Sequence, residues 1–293
     1  MKKTFYHYTS IFALFSIITS NTLRLSNLKN SNDPNEFYLT CDEYNDYVKK
    51  LNQNPYNGRP YILEENKIYG NTYGVSLTLL GDSLNHWERY GDGMEGVSIC
   101  FDINYLQKAL EEKFSFTLDF DAVKYTEPEK KAFIKKKIEK IISLPKCPVA
   151  QWTMEAIYFI DHFNQAQMLF KKSGFRTERE YRLYFDPTYF EFFHNMIMSL
   201  PTDAFNALRE KNNKQFQNVK NYLKLLESNK AYSLMRNGIN SYISLDLGLV
   251  DKRKFIKEII LGPKCKQDIK ELQNFLNDYG YNVAVRKSSI EIR

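Results

Sequence analysis

The sequence predicts an α+β protein in which helices pack on a single mixed sheet. Three observations support this class: short strands occur near both ends of the chain, amphipathic helices separate them, and no internal repeat or low-complexity linker interrupts the 293 residues. A chain of this length can bury a complete hydrophobic core. We therefore expect one domain over residues 1–293 with helical insertions, of which residues 188–230 are the clearest insertion or subdomain.

The chain opens with a predicted strand at residues 4–9 that leads directly into a helix at 10–20. Ser10 suits the N-cap position because its side-chain oxygen can accept a hydrogen bond from a backbone N–H of the first turn. Apolar residues then recur at helical spacing, and TLRLS at 22–26 alternates as a second strand. The next predicted elements are a turn at Asn32-Asp33-Pro34, a helix at 35–52, a polar connection at 53–72, a strand at 73–79, a short helix near 83–90 and a strand at 96–102.

The second half of the chain continues to alternate helices with strands. FRTEREYRLYF alternates strictly and predicts a strand over 175–185. From Lys254 to the end, the pattern predicts a strand, a Gly-Pro turn, a helix, a glycine and another strand. The other predicted elements are helices at 103–113 and 127–143 around a strand at 115–124, and a helical segment at 151–172.

Composition narrows the class of function only moderately. The formal net charge of +6 permits contact with a polyanion without demanding it, and the lysines at 130–140 fit the solvated face of an amphipathic helix. The four cysteines form no CxxC pair and the four histidines show no metal-ligand spacing, which argues against a zinc site or a disulfide framework. The short apolar run after Ser10 lacks the cleavage pattern of a secretory signal, and no later stretch reaches the roughly 20 apolar residues of a membrane span, so we expect a cytoplasmic protein with no membrane partner.

The stretch 175–185 also holds the first candidate site. On a single strand, Arg176, Glu178, Glu180 and Arg182 would share a face, with the two carboxylates about 7 Å apart. Such a Glu-x-Glu pair concentrates negative charge where folding does not require it, and the neighbouring arginines keep both groups ionised. The residues leave one alternative open, which is a surface ladder of alternating charges.

A second candidate site lies in residues 73–102. Ser76 and Thr78 share one strand face, and Trp87 and Tyr90 sit one turn apart on the short helix before a glycine-rich turn. Aromatic rings in this place can stack on a planar ligand, or they can simply cover the sheet.

Motifs over nearly the whole chain resemble a bacterial family, the domain of unknown function 2971. The motifs keep the same order along the chain. On the basis of these motifs, the chain is identified as a member of that family. The stretches that carry this resemblance are HYTS at 7–10, LRLSN at 23–27, NDPNE at 32–36, HWERYGDGMEGVSICFD at 86–102, TEREYR at 177–182 and IKEIILGP at 256–263.

The order of the motifs is also similar to that of the ADP-ribosyltransferase superfamily. This resemblance implies an ADP-ribosyltransferase-like fold that uses NAD as substrate, with a ribose-holding residue on the first strand and a glutamate on a late strand. It makes His7, Glu178 and Glu180 the catalytic candidates, with Glu180 stabilising an oxocarbenium-like transition state as nicotinamide leaves. The candidate NAD-binding residues are His7, Tyr8, Thr9, Ser76, Thr78, Trp87, Tyr90 and Arg182.

Three classes of function follow as alternatives. The first is an enzyme that ADP-ribosylates a protein or nucleic acid acceptor, or hydrolyses NAD, as a toxin or antiphage defence effector. The second is a magnesium-dependent nuclease built on Asp33, Glu36, Glu178 and Glu180, although the first two equally fit a structural turn. The third is a non-catalytic module that binds a nucleotide or a protein, such as an operon-encoded partner. We expect no metal at Glu178 or Glu180, because nearby arginines compete for the carboxylate oxygens.

Overall fold

The computed structural model of the protein describes residues 4–30, 46, 72–114, 117–142, 168–185, 230–235 and 238–292. Some of the predicted features lie outside these residues. They are Asp33 and Glu36, the helix at 35–52 apart from Asp46, the connection at 53–72 apart from Thr72, the segment 151–167 of the predicted helix at 151–172, and the insertion at 188–230 up to its last residue.

Ten strands of the described chain form one mixed, open sheet. The last two strands pair in parallel and the other pairs are antiparallel. This sheet, together with its helices, confirms the α+β class. The strands are β1 (Phe5–Thr9), β2 (Thr22–Asn27), β3 (Tyr73–Thr78), β4 (Val97–Phe101), β5 (Asp119–Ala122), β6 (Glu180–Phe185), β7 (Lys230–Met235), β8 (Gly238–Asp246), β9 (Ile256–Leu261) and β10 (Ala284–Lys287).

The first helix begins where the sequence predicts it. Ser10 is its N-cap, and the Ser10 Oγ accepts a hydrogen bond of 3.1 Å from the backbone N–H of Ala13. Asn21 ends the helix in a left-handed conformation with a φ of 53°. None of the described helices is long and apolar enough to cross a membrane. The helices with described bounds are α1 (Ile11–Ser20), α2 (Leu84–Tyr90), α3 (Ile103–Phe114), α4 (Glu127–Ile142), α5 (Lys252–Phe255) and α6 (Ile269–Asp278).

The main hydrophobic core lies on one face of the sheet, where α1, α3 and α6 pack. Val75 and Leu77 of β3 and Leu183 of β6 belong to this core together with apolar residues of the three helices. Because strand side chains alternate between faces, the residues between them lie on the opposite face. That second face carries the polar residues of the candidate site.

The sheet is forked at β3. One edge of β3 pairs along its whole length with β6. Two strands share the other edge: β1 is in register where Tyr6 lies opposite Thr78, and β2 where Ser26 lies opposite Gly74. Between these points, the edge around Ser76 pairs with no strand of the described chain. The strands β1 and β2 diverge there, and α1 connects them.

The predicted strand over 175–185 is wrong in its first half. Ser173–Glu178 forms a 3₁₀ helix, Arg179 has a left-handed φ of 44°, and the strand begins only at Glu180. The charge alternation before Glu180 imitates a strand period, but buried hydrogen bonds to Glu178 hold this segment as a helical turn. The exposed charge ladder is also wrong, because Glu178 and Glu180 are each only 5% exposed.

Candidate functional site

A cavity of about 840 Å³ lies at the fork of the sheet. Its size falls within the roughly 300–1,000 Å³ range of small-molecule pockets. The structure thus brings His7, Ser76 and Glu180 to one cavity, and their chemical roles stay predictions. The predicted site residues that line it are His7, Tyr8, Thr9, Ser76, Thr78, Tyr90, Glu178, Glu180 and Arg182.

The imidazole of His7 reaches across the fork. Its Nδ1 lies 3.0 Å from the carbonyl oxygen of Ser76. A carbonyl oxygen only accepts, so Nδ1 carries the proton and Nε2 of the neutral ring can accept a hydrogen bond. Burial lowers the pKa of His7, and the bond to Ser76 offsets this only in part. A neutral ring with an acceptor nitrogen suits a hydroxyl group of a ligand.

Strands β3 and β6 present a polar face to the cavity. Ser76 lies directly opposite Arg182 and Thr78 opposite Glu180, so these four side chains share the face away from the main core. Thr78 is buried, and its hydroxyl donates to the carbonyl oxygen of Glu178 at 2.9 Å. Ser76 is exposed. The predicted common face of Ser76 and Thr78 is confirmed, and of the two hydroxyls that of Ser76 is open to the cavity.

Lys171 joins the two glutamates in one buried ion network. The Lys171 Nζ lies 3.0 Å from Oε2 of Glu178 and 2.7 Å from Oε2 of Glu180. The Arg182 Nε lies 2.8 Å from Oε1 of Glu180, and the Arg182 Nη1 donates to the carbonyl oxygen of Met168. The negative charges of the two carboxylates and the positive charges of Lys171 and Arg182 neutralise one another, which lowers the cost of burying them.

The network keeps Glu180 ionised. Burial alone would raise the pKa of Glu180, but Arg182 and Lys171 outweigh this effect and lower that pKa to about 2. The predicted ionisation by arginine therefore holds for Arg182. Arg176, which the sequence placed on the carboxylate face, is instead exposed, as is Arg179.

Helix α2 holds Glu178 in place from the other side. The Tyr90 hydroxyl donates to Oε1 of Glu178 at 2.5 Å, and the Arg89 Nη1 lies 3.5 Å from the same oxygen. The His86 Nε2 donates to the backbone carbonyl of Glu178 at 3.1 Å. Burial, aided by Glu178, raises the pKa of Tyr90. The phenol therefore stays protonated and acts as a fixed donor to the carboxylate.

Trp87 lies outside the cavity wall. It is completely buried, packs edge-on against Tyr8 at 4.7 Å between ring centroids, and donates from Nε1 to Asp82 at 2.7 Å. The hydroxyl of Tyr8 is likewise used by the protein, since it donates to the Leu80 carbonyl at 2.8 Å and accepts from the Ser83 N–H at 3.0 Å. This arrangement fits the alternative interpretation of Trp87, in which the ring covers the sheet.

The turn after α2 depends on its glycines, as the sequence predicts. A Cβ atom on Gly96 would lie 2.2 Å from the Thr9 carbonyl oxygen, and one on Gly91 would lie 2.6 Å from the Trp87 ring. Gly93 has a left-handed φ of 64°. These close approaches hold α2 near the end of β1.

Four residues that contact Glu178 or Glu180 were not predicted: His86, Arg89, Tyr125 and Lys171. The Tyr125 Oη accepts the backbone N–H of Glu180 at 2.9 Å. His86 and Arg89 lie within HWERY, a stretch that carries the family resemblance, so the resemblance could have pointed to these two residues. Lys171 is one of 41 lysines and arginines, and nothing in its local sequence distinguishes it.

The described residues hold no group of three or more His, Cys, Asp or Glu side chains placed to bind a metal ion. Asp33 and Glu36, the other carboxylates of the nuclease alternative, lie outside these residues. Lys171 and Arg182 contact both oxygens of Glu180.

Fold and cavity together define an α+β protein with a forked mixed sheet and a cavity at the fork, one wall of which carries the buried ion network. Residues 86–183 match the family described as protein of unknown function DUF2971. The matched segment runs from α2 into β6 and includes His86, Tyr90, Lys171, Glu178 and Glu180. It supports the resemblance to that family over one wall of the cavity. No curated protein and no solved structure matches the chain.

Proposed function

We propose that the protein is an ADP-ribosyltransferase-like enzyme that binds NAD in the fork cavity. It transfers ADP-ribose to a protein or nucleic acid acceptor, or hydrolyses NAD, as a toxin or antiphage effector. The observation that carries this proposal is the convergence of His7, Ser76 and the glutamates of 178 and 180 on one cavity. The superfamily resemblance implies site residues on a first, a middle and a late strand, and His7, Ser76 and the two glutamates follow this order in the chain.

The reaction breaks the bond between ribose C1′ and the nicotinamide nitrogen, and the electron pair leaves with nicotinamide. The electron-poor C1′ is then attacked by an acceptor nucleophile or by water, which loses a proton. A fixed carboxylate beside the developing positive charge lowers the barrier. Glu180 is ionised at neutral pH because Arg182 and Lys171 lower its pKa to about 2. The Nε2 of His7 would accept a hydrogen bond from a ribose hydroxyl.

The ion network also supports a second candidate, a non-catalytic module that binds a nucleotide or an operon-encoded protein. Lys171 and Arg182 already neutralise both carboxylates at distances of 2.7–3.0 Å. A neutralised carboxylate stabilises a cationic transition state less than a free one. In an enzyme, a ribose hydroxyl must therefore replace one of these contacts or approach an unoccupied lone pair.

Nicotinamide release from NAD, measured with and without cell extract as acceptor, tests the proposal. We expect Glu180→Gln to slow release by about 100-fold or more, because the substitution keeps the shape and removes the charge. Glu178→Gln is the parallel variant, and Glu112→Gln, which changes an exposed side chain of α3, is the matched control. Thermal melting checks that each variant folds. Binding of NAD by calorimetry without any release favours a nucleotide-binding module. Absence of both binding and release overturns the NAD-dependent enzyme and leaves only the protein-binding form of the second candidate.

A further inference from the structure

We propose that Arg24 is the anion-binding residue of the fork cavity and holds the pyrophosphate of a dinucleotide. The identity of that ligand rests on the proposed function. Arg24 lies on β2, is exposed, and lines the cavity.

The charge of Arg24 is not offset by a carboxylate. Of the four lysines and arginines that line the cavity, Arg89, Lys171 and Arg182 all pair with Glu178 or Glu180. Arg24 has no ion-pair partner within the part of the chain that the structure describes. An uncompensated guanidinium on a cavity wall favours a ligand with negative charge.

The guanidinium of Arg24 is also held in position. Its central carbon lies 4.6 Å from the centroid of the Tyr242 ring on β8. Stacking on a ring covers one face of the guanidinium and leaves the N–H groups at its edge able to donate. A planar fork of donors suits two oxygens of a phosphate.

Strand register places Arg24 across the fork from the proposed reaction centre. Ser26 of β2 lies opposite Gly74 of β3, so the same register continued would set Arg24 opposite Ser76. Ser76 in turn lies opposite Arg182 on the other edge of β3. Arg24 therefore belongs to the polar face, on the arm of the fork away from β6. A ligand with its ribose near the glutamates would extend its phosphates towards this arm.

Calorimetry with NAD, ADP-ribose and adenosine tests the assignment. We expect Arg24→Ala to weaken NAD and ADP-ribose by about 10- to 100-fold, since a hydrogen bond between charged groups is lost. Adenosine, which has no phosphate, should bind unchanged. Arg24→Lys keeps the charge without the planar fork of donors, so its affinity for NAD should lie between the affinities of wild type and Arg24→Ala. Arg253→Ala removes an exposed arginine outside the cavity and serves as the matched control.

The outcomes separate this inference from the proposed function. Equal NAD affinity in wild type and Arg24→Ala overturns the inference and leaves the proposed function standing. The same conclusion follows if Arg24→Ala weakens the binding of adenosine as much as the binding of NAD. Binding of inorganic pyrophosphate but not NAD, with dependence on Arg24, supports the anion site and overturns the function. Binding of neither ligand by wild type overturns both.

Discussion

The Nδ1 of His7 donates a hydrogen bond of 3.0 Å to the carbonyl oxygen of Ser76 across the fork of the sheet. Ser76 sits where neither β1 nor β2 pairs with β3, so the imidazole satisfies a carbonyl that lacks a neighbouring strand there. The same bond fixes the tautomer of the ring. A single histidine thus stabilises the fork and presents an acceptor to the cavity.

Stability should fall as the pH drops below 6.5, the ordinary pKa of histidine. Burial lowers the pKa of both His7 and His86 in the folded protein. The unfolded chain therefore binds protons first, and the stabilisation, complete above pH 6.5, is lost as the pH falls towards the folded pKa values. Melting temperatures between pH 8 and pH 5 measure the effect, and His7→Gln and His86→Gln should each flatten the curve. Slopes unchanged in both variants would contradict it.

Much of the fold could be predicted because local signals and tertiary structure agree. Ser10 caps α1 as expected, and the alternation of β3 separates its core residues from Ser76 and Thr78. Strand periodicity failed at 175–178, where buried contacts of the Glu178 backbone override the alternation. The fork itself carries no local signal, since it depends on which strands share the edge of β3.

The site could be predicted only where a residue stands out in sequence. His7, Ser76 and Glu180 lie on strands with clear alternation, and the structure places them on one cavity. Lys171 contacts both glutamates from a segment whose pattern suggested only a helix. Long-range ion pairs of this kind follow from tertiary structure, which periodicity does not encode.

Lys171→Met should destabilise the protein by about 3 kcal/mol, because removing one partner leaves buried carboxylates without compensation. The Lys171 side chain is 11% exposed, so water replaces the ammonium poorly. Urea unfolding monitored by circular dichroism measures the change. Lys108→Met, which removes an exposed partner of Glu112, should alter stability by no more than about 0.5 kcal/mol. Adding Glu178→Gln to Lys171→Met should recover part of the loss, and a further loss would contradict the network.

Asp82→Asn should destabilise α2 by about 2 kcal/mol, since the carboxylate accepts several hydrogen bonds at once. Its Oδ1 accepts from Trp87 at 2.7 Å and from Ser288 at 2.6 Å, and its Oδ2 accepts from the N–H of Ser289 at 2.7 Å. An amide turns one acceptor into a donor that faces other donors. Amide hydrogen exchange in α2 and after β10 should accelerate together. Acceleration in only one of these segments would show that Asp82 does not link them.

The NAD-consuming enzyme and the nuclease alternative make opposite demands on metal ions. Any NAD-consuming activity should persist in EDTA, because Lys171 and Arg182 contact the carboxylate oxygens that a divalent ion would need. Calorimetry with manganese should show no tight site in wild type. Lys171→Met removes the ammonium shared by Glu178 and Glu180, so weak manganese binding should appear there and vanish when Glu180→Gln is added. A tight site in wild type that depends on Glu180, with nuclease activity abolished by EDTA, would instead rank the metal-dependent nuclease first.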